Sequence, residues 1–165
     1  MIITFLMSQF NSMRNITNIV EKLSKQFGNK IKAEFNGKVY ERYSFPTLDQ
    51  IKNITEQEAL DCSIGLRVKY LIPLLNKISK NPEILDNLKL MDYNTAMRTL
   101  QQFSGIGEKV ANCICLFGLH HVQAFPVDMH IQRILNEEGT NIDIKNYGKY
   151  AGIVQQYMYY YKAFK

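Results

Sequence analysis

Lys109 and Asp128 are the two residues whose types and spacing suggest chemistry. Lys109 follows a Gly-Ile-Gly turn at residues 105 to 107, and Asp128 lies in a Pro-Val-Asp segment further on. A lysine in the first turn of a helix lies beside the positive end of the helix dipole, which favours the neutral amine that a nucleophile needs. A nearby carboxylate could stabilise positive charge on a sugar carbon as its base departs. The interpretation without catalysis is that Lys109 is a solvated surface lysine and Asp128 is the N-cap of a helix.

The Gly-Ile-Gly turn predicts a helix-hairpin-helix motif over about residues 92 to 118. Asp92 is placed to cap a helix over "YNTAMRTLQQF", and a second helix follows Gly107. Glycines at 105 and 107 allow positive φ and a close approach of another backbone, so amide groups at the second helix could bind a phosphate. Such contacts bind DNA without reading its sequence. An ordinary glycine-containing helix connection is the alternative.

The remaining elements that must position these residues are almost all predicted to be helices. Apolar residues recur at helical spacing through most of the chain. Residues 29 to 46 show the only strand-like alternation, and Asn36-Gly37 is a turn signal, so a short hairpin or loop is expected there. Thr47 and Thr55 are predicted N-caps, the second with a glutamate three residues later, as in a capping box.

Composition bounds the class of protein. The chain has 165 residues, 46% of them apolar, which indicates one folded domain, or two small lobes that share a cleft, rather than disorder. The net charge of +5 favours a polyanionic partner without proving one. Cys62, Cys113 and Cys115 contain no C-x-x-C pair, which argues against disulfides and a zinc site and for a reducing compartment. The apolar start is shorter than the roughly 20 residues of a membrane span, so a cytoplasmic protein is expected, nucleoid-associated if prokaryotic.

The stretch "GIGEKVANCICL" followed by "QAFPVDMH" resembles the core motif of the helix-hairpin-helix, Gly-Pro-Asp superfamily of DNA base-excision glycosylases, and most closely the 8-oxoguanine DNA glycosylases. The resemblance extends through "SFPTLDQIKNIT", "IGLRVKYL" and "YGKYAGIVQQYMYY". It implies an all-α fold with two helical lobes around a cleft. It also implies a bifunctional glycosylase and lyase that flips 8-oxoguanine out of duplex DNA and removes it through a Schiff base.

The same resemblance implies partners and cofactors. Damaged double-stranded DNA is the expected partner, and no membrane or iron-sulfur cluster is expected. No metal or other cofactor is implied, apart from a monovalent cation that the hairpin turn could hold. The oligomeric state is left open.

The resemblance assigns the reacting and base-binding residues. Lys109 would be the Schiff-base nucleophile, and Asp128 the carboxylate that assists it. Gln155 would bind the Watson-Crick edge of the flipped base, Tyr159 would stack on it, and Cys113 would face it from the other side. Helical spacing alone would instead place Gln155, Tyr159 and Cys113 in ordinary core packing.

DNA contacts are assigned by the same comparison. His130 matches a histidine near a phosphate, Arg14 and Arg67 match arginines that read the unpaired cytosine, and Leu66 stands at a wedge position. The full set of expected DNA-binding residues is Gly105, Gly107, His130, Arg14, Arg67, Leu66 and Asn11. Taken singly, the arginines would be solvated surface residues.

Two departures from the family pattern stand out. The family's preceding domain with a β-sheet has no counterpart before Met1, so exposed apolar residues are expected near the start, among Ile2, Ile3, Phe5 and Leu6. Gln9 stands where an asparagine would hold the space left by the flipped base.

Two other functions stay open at this stage. Endonuclease III-like enzymes for oxidised pyrimidines share the lysine and the aspartate, but they usually end in a four-cysteine iron-sulfur loop, and this C-terminus has no cysteine. A catalytically impaired helix-hairpin-helix module that only binds DNA is the other alternative.

Overall fold

The computed structural model describes residues 1–137 and 142–164. The chain divides into two compact units, an N-terminal unit, Leu6–Ile84, and a C-terminal unit, Leu85–Lys165, which also includes Met1–Phe5. The described elements are, in chain order, α1 (Ile2–Met7), α2 (Met13–Phe27), β1 (Lys30–Phe35), β2 (Lys38–Tyr43), α3 (Leu48–Ile51), α4 (Glu56–Asp61), a 3-10 turn (Gly65–Arg67), α5 (Val68–Lys80), α6 (Ile84–Leu90), α7 (Tyr93–Leu100), α8 (Glu108–Gly118), α9 (Met129–Leu135), a 3-10 segment (Ile144–Tyr150) and α10 (Ala151–Phe164).

The predicted hairpin in the N-terminal unit is confirmed. β1 and β2 pair antiparallel, with Ile31 opposite Arg42 and Phe35 opposite Lys38. Asn36 and Gly37 both have positive φ, 50° and 71°, as the tight two-residue turns of β-hairpins require. All residues of both strands are exposed, so this hairpin contributes little to the core.

Helix ends in the N-terminal unit follow local sequence signals. The Ser12 hydroxyl accepts a hydrogen bond from the Asn15 amide at the start of α2. Gly28 is the C-cap residue of α2, and it must be glycine because its backbone lies against the chain after β2: a Cβ there would be 1.8 Å from the carbonyl oxygen of Ser44. The predicted capping box at Thr55 is present, since Glu58 accepts hydrogen bonds from the Thr55 backbone amide and hydroxyl, each at 2.8 Å.

The core of the N-terminal unit lies beneath α3, α4 and α5. The apolar face of α5 contributes Leu71, Leu75 and Ile78, all buried. Pro73 lies within α5 at an exposed position.

The C-terminal unit contains the predicted helix-hairpin-helix motif, because α7 and α8 pack together and a short turn joins them. Asp92 caps α7 as expected: its carboxylate accepts hydrogen bonds from the backbone amides of Asn94 and Thr95. A second cluster forms where α9 and α10 pack, around Phe125, Ile131, Ile134 and Ala151. Together these elements confirm the all-α fold class.

The expected exposure of apolar residues near the start is wrong. Leu6 is fully buried, Ile2, Ile3 and Phe5 are partly buried, and the Phe5 ring stacks on Phe117 at 5.6 Å. α1 packs as a short core helix. The exposed apolar side chains of the hairpin, Ile31, Phe35 and Val39, were not anticipated.

None of the described helices is both long enough and apolar enough to cross a membrane.

Candidate active site

The turn between α7 and α8 brings the start of α8 to the surface. Gly105 has a φ of +83°, which only glycine adopts easily, and the Ile106 amide donates to the Phe103 carbonyl at 3.0 Å. Phe103 and Ile106 are buried, so the turn is anchored by its apolar residues. Gly107 instead has an extended backbone, and a Cβ there would meet nothing within 4 Å. The expected positive φ therefore applies to Gly105 alone, whereas Gly107 leaves open space beside the helix start.

Lys109 occupies the second position of α8 and is partly buried. Gly107 is the N-cap residue and has no side chain to bond the first amides of the helix. Those amides lack intrahelical partners by geometry, so the positive end of the dipole faces the same region as Lys109. This is the placement that the sequence predicted for a nucleophilic amine.

Asp128 is the N-cap residue of α9. Its carboxylate accepts a hydrogen bond from the Ile131 amide at 2.9 Å. The N-cap interpretation is therefore confirmed. It leaves the second carboxylate oxygen outside that bond, so capping and charge stabilisation are compatible roles.

The thiol of Cys113 links the two residues electrostatically. Burial raises the pKa of Cys113, the charge of Lys109 lowers it, and the charge of Asp128 raises it. A thiol whose pKa is raised stays protonated at neutral pH and is a poor nucleophile.

Asn112 is a positioning residue that the sequence did not reveal. Its buried side-chain oxygen accepts hydrogen bonds from the Tyr93 hydroxyl at 2.8 Å and from the Phe125 amide at 3.2 Å. Its side-chain nitrogen donates to the Glu108 carbonyl at 3.1 Å. One amide thus joins α7, α8 and the loop that leads to Asp128. The only signal in the sequence that could have identified Asn112 is a polar amide side chain inside the apolar segment "VANCIC".

Gln155 approaches the same loop from α10. Its side-chain nitrogen donates to the Pro126 carbonyl at 2.9 Å, and its side-chain oxygen accepts from Gln156. A glutamine amide carries two N–H donors and an oxygen with two lone pairs, so one donor and one acceptor site remain beyond these two bonds. These two bonds hold the buried Gln155 amide in one orientation. Its partner Pro126 lies two residues before Asp128.

Tyr159 lies one turn further along α10 and contacts His130. The two rings meet edge to face, with centroids 5.6 Å apart. Tyr159 also packs against the apolar cluster of α9 and α10. The structure therefore brings Lys109, Asp128, Cys113, Gln155, Tyr159 and His130 together at the starts of α8 and α9 and on the facing part of α10.

Gly152 lets α10 come this close. A Cβ at Gly152 would lie 2.4 Å from the Ala124 carbonyl oxygen and 2.7 Å from that of Val122. The Gly152 amide donates to the Val122 carbonyl at 2.8 Å. The final helix begins only at Ala151, because Gly148 has a non-helical backbone that interrupts the preceding segment.

The other predicted DNA contacts lie in the N-terminal unit. Arg14 is exposed on α2. Asn11 is occupied locally, since its side chain donates to the Met7 carbonyl and accepts from the Ser12 amide, both at 3.1 Å. Leu66 is 87% exposed in the 3-10 turn.

Arg67 makes a contact that the sequence did not predict. Its guanidinium donates to the carbonyl oxygens of Gln9 and Phe10, the latter at 3.1 Å. In this structure Arg67 therefore fixes the segment that follows α1, rather than projecting freely into solvent.

Among the described residues, no group of three or more His, Cys, Asp or Glu side chains could hold a metal ion. The three cysteines are free and buried. Burial raises the pKa of Cys115 to about 11, so this thiol is also inert at neutral pH.

Comparison with known protein families assigns this chain to a superfamily. A model of the HhH-GPD superfamily base excision DNA repair proteins matches residues 3–155. The chain belongs to this superfamily. Superfamily members similar to it include an N-glycosylase/DNA lyase of Saccharomyces cerevisiae, 32% identical over 148 residues, which cover 83% of this chain and 39% of that protein. An N-glycosylase/DNA lyase of Arabidopsis thaliana is 29% identical over 179 residues, covering 96% of this chain and 48% of the relative.

A solved superfamily structure agrees closely with this one. The 8-oxoguanine glycosylase/lyase of Clostridium acetobutylicum, in complex with double-stranded DNA containing cytosine opposite 8-oxoguanine, superposes with a TM-score of 0.84 at 30% identity. The match covers 97% of this chain and 57% of that one. The present chain thus spans about half the length of the relatives it matches.

Proposed function

We propose that this chain forms the catalytic helical part of a bifunctional DNA glycosylase and lyase that removes 8-oxoguanine from duplex DNA. The observation that carries the proposal is the placement of Lys109 and Asp128 at the starts of α8 and α9, with the buried Asn112 amide bonding both the start of α8 and the loop that leads to Asp128. An amine and a carboxylate at neighbouring helix N-termini suit attack on a sugar carbon that becomes positively charged as its base leaves.

The proposed reaction proceeds by covalent catalysis. The amine nitrogen of Lys109 uses its lone pair to attack C1′, the bond from C1′ to the base breaks, and the base leaves with that electron pair and takes up a proton. Asp128 stabilises the positive charge on the sugar during this step. Opening of the sugar ring gives an imine between Lys109 and C1′. Loss of a C2′ proton then breaks the C3′–O bond, which cleaves the strand.

The proposed base pocket lies beside this pair. A damaged base must leave the stack before a side chain can reach its sugar, at a cost of a few kcal/mol. The donor and the acceptor that remain on the Gln155 amide could bind the edge of the flipped base, and Tyr159 offers an aromatic face beside His130. The amide needs no reorganisation to do so, because Pro126 and Gln156 already fix it.

The choice of 8-oxoguanine rests on the relatives. The solved structure with a TM-score of 0.84 is named an 8-oxoguanine glycosylase/lyase, and the relatives from yeast and Arabidopsis are named N-glycosylase/DNA lyases. The proposed partner is damaged duplex DNA. The proposed chemistry needs no cofactor, since the lysine and the carboxylate supply the nucleophile and the counter-charge, and a monovalent cation at the Gly105 turn would serve DNA binding. Three free thiols fit a reducing compartment such as the cytoplasm.

Borohydride trapping tests the proposal, because hydride reduces the imine to a stable amine and leaves protein and DNA covalently joined. The substrates are duplexes with a single 8-oxoguanine opposite cytosine, a guanine opposite cytosine, or a thymine glycol. The proteins are the wild type, Lys109→Gln, and Lys145→Gln as a matched change at an exposed lysine of the same unit.

The proposal expects an adduct with the 8-oxoguanine duplex alone, formed by the wild type and Lys145→Gln and lost in Lys109→Gln. An adduct with thymine glycol would assign the chain to oxidised pyrimidines instead. Binding of damaged DNA without any adduct would show a DNA-binding module that lacks catalysis.

A further inference from the structure

The outer face of α10 carries a row of large apolar side chains that lie in solvent. Ile153, Tyr157, Tyr160 and Tyr161 are 42%, 75%, 67% and 58% exposed. At about 3.6 residues per turn, these positions fall within an arc of about 100° on one side of the helix. We call these four residues, with the partly buried Val154 beside them, the α10 stripe. Because a surface helix normally turns such a stripe toward a core, an exposed one indicates a surface that another element covers.

The inner face of the same helix is already occupied. Gln155 is buried and donates to the Pro126 carbonyl at 2.9 Å, and the backbone of Gly152 lies close to the carbonyl oxygen of Ala124. Ile153 and Tyr157 point roughly half a turn away from Gln155. A partner on the α10 stripe would therefore approach the helix from the side away from the proposed base pocket.

The α10 stripe carries no charge. Lys162 is the only charged residue within Ala151–Phe164, and it pairs with Glu137. DNA is bound chiefly through lysine and arginine contacts to its phosphates, so this surface does not suit a polyanion. Tyrosine is enriched at protein–protein interfaces, because its ring buries apolar area while its hydroxyl stays hydrated. The stripe therefore fits an uncharged, apolar protein surface.

The spacing of the stripe is symmetric about Tyr157. Ile153 and Val154 lie four and three residues before it, and Tyr160 and Tyr161 lie three and four residues after it. If two copies of α10 pack antiparallel about a two-fold axis at Tyr157, Ile153 of one copy faces Tyr161 of the other, and Val154 faces Tyr160. Each of these pairs joins an aliphatic side chain to a larger aromatic one, which lets the facing layers interdigitate. A two-fold interface requires this self-complementarity, because the same surface serves both copies.

The area of the stripe suits a reversible dimer. Tyr157, Tyr160 and Tyr161, with Tyr150 directly before the helix, expose roughly 500 Å², at about 200 Å² for a fully exposed tyrosine. An exposed apolar patch of that size is often functional. Counted on both copies it gives roughly 1,000 Å², which is at the low end of specific interfaces. Association that depends on protein concentration is therefore expected, rather than a permanent dimer.

We propose that the α10 stripe is a self-association surface, through which two copies of this chain pair by antiparallel packing of α10 with Tyr157 at the two-fold axis. The occupant is a second copy, because the stripe is uncharged and its spacing and side-chain sizes complement themselves. Pairing leaves Gln155 on the opposite side of α10, so this inference does not depend on the proposed function.

Charges introduced at the axis test the proposal. Tyr157→Glu and Tyr157→Lys each bring two like charges together in a dimer, whereas a mixture of the two variants pairs opposite charges. Leu90→Glu is the matched control, because Leu90 is an 86% exposed apolar residue of the same unit outside α10. Sedimentation equilibrium at micromolar to millimolar protein concentrations and low salt measures association. Circular dichroism checks the fold of each variant, and neither replaced side chain is buried.

The wild type and Leu90→Glu are expected to dimerise reversibly with the same dissociation constant. Tyr157→Glu and Tyr157→Lys should each dimerise about thirtyfold or more weakly, which is the loss typical of a residue at the centre of an interface. Mixing the two variants should restore association as a heterodimer.

A thiol cross-link locates the axis independently. The three native cysteines are free and buried, so a short bismaleimide should react chiefly with a thiol introduced at the surface. Tyr157→Cys should be captured as a covalent dimer, because its two copies face each other across the axis. Leu90→Cys should remain monomeric under the same conditions.

Three outcomes would overturn the proposal. A wild-type chain that stays monomeric up to millimolar concentration would assign the α10 stripe to a different protein or to further chain of the kind that the longer relatives contain. Equal association of the wild type and both Tyr157 variants would show that a dimer uses another surface. If the wild type dimerises but the mixed variants do not, Tyr157 does not face its own copy.

Discussion

Lys109 and Asp128 in the C-terminal unit are positioned by buried polar side chains, whereas Phe10 and Leu66 in the N-terminal unit project into solvent from a backbone that one arginine fixes. Around the first pair, the side chain of Asn112 bonds α7 and the Phe125 loop, the side chain of Gln155 bonds the same loop at Pro126, and both side chains are almost fully buried. Around the second pair, the side chains that project make no described hydrogen bond and no core contact.

The difference matches what each region is proposed to do. A nucleophile and its counter-charge must be held within a fraction of an ångström of the reacting atoms, so rigid buried supports benefit them. Leu66 stands at a position where the resemblance predicts a DNA wedge, and a side chain that enters a base stack has to be exposed before binding. The two regions should therefore respond in opposite ways to mutation, and three changes test this.

The largest effect is expected for Asp128→Asn. Asparagine caps helices as well as aspartate does, so α9 should remain intact and thermal stability should be nearly unchanged. Loss of the carboxylate charge should slow base release by about a hundredfold or more. Single-turnover release of 8-oxoguanine, together with thermal unfolding, measures the two quantities.

Asp143→Asn is the matched control for this change. Asp143 also caps a helical segment, accepting a hydrogen bond from the Lys145 amide at 3.0 Å, but it lies away from Lys109 in sequence and is exposed. It should react like the wild type. An Asp128→Asn protein with full activity would reduce Asp128 to a cap.

A smaller effect, on stability as well as rate, is expected for Asn112→Ala. The change removes three hydrogen bonds and leaves the buried Phe125 amide without its partner, which should lower the free energy of unfolding by about 2–3 kcal/mol. Because the Phe125 loop leads to Asp128, base release should slow while affinity for an abasic duplex changes little. Chemical denaturation and single-turnover kinetics at a temperature well below unfolding measure these effects.

Tyr93→Phe separates the parts of this network. It removes only the hydroxyl that donates to Asn112, so a loss of about 1 kcal/mol and near-normal kinetics are expected. If Asn112→Ala and Tyr93→Phe have equal effects on the rate, the bond to the Phe125 amide does not position Asp128.

Local signals in the sequence predicted the elements that carry the site. Caps at Asp92 and Thr55, the Asn36-Gly37 turn and the Gly105 turn are each set by a few neighbouring residues, and each is present in the structure. The places of Lys109 and Asp128 at helix starts were predicted from the Gly-Ile-Gly turn and the Pro-Val-Asp segment, whereas their roles were implied by the resemblance to a family.

Residues whose roles depend on distant partners were not predictable in this way. Asn112 lies in an apolar helix, and its role depends on Tyr93 and Phe125, which meet it only in the folded unit. The backbone of Phe10 is bonded by Arg67, far along the chain. A phenylalanine after an apolar helix is most simply interpreted as core, and a bond to so distant a residue leaves no local signal in the sequence.

The smallest effect, and the one that separates strain from packing, is expected for Phe10→Gly compared with Phe10→Ala. The Phe10 backbone has a φ of +46°, in the left-handed region. Glycine adopts positive φ without steric cost, whereas alanine retains the left-handed penalty of about 1–2 kcal/mol. Phe10→Gly should therefore be more stable than Phe10→Ala by roughly 1 kcal/mol, once the greater unfolded-state entropy of glycine is subtracted. At Phe35, in a β-strand, the order should reverse, with glycine less stable than alanine by about 0.5–1 kcal/mol. Chemical denaturation of the four variants measures both differences.

Opposite signs of the glycine-minus-alanine difference in stability at Phe10 and Phe35 would show that the fold sustains backbone strain at Phe10. Equal signs would mean that the left-handed backbone at Phe10 does not lower the stability of the protein.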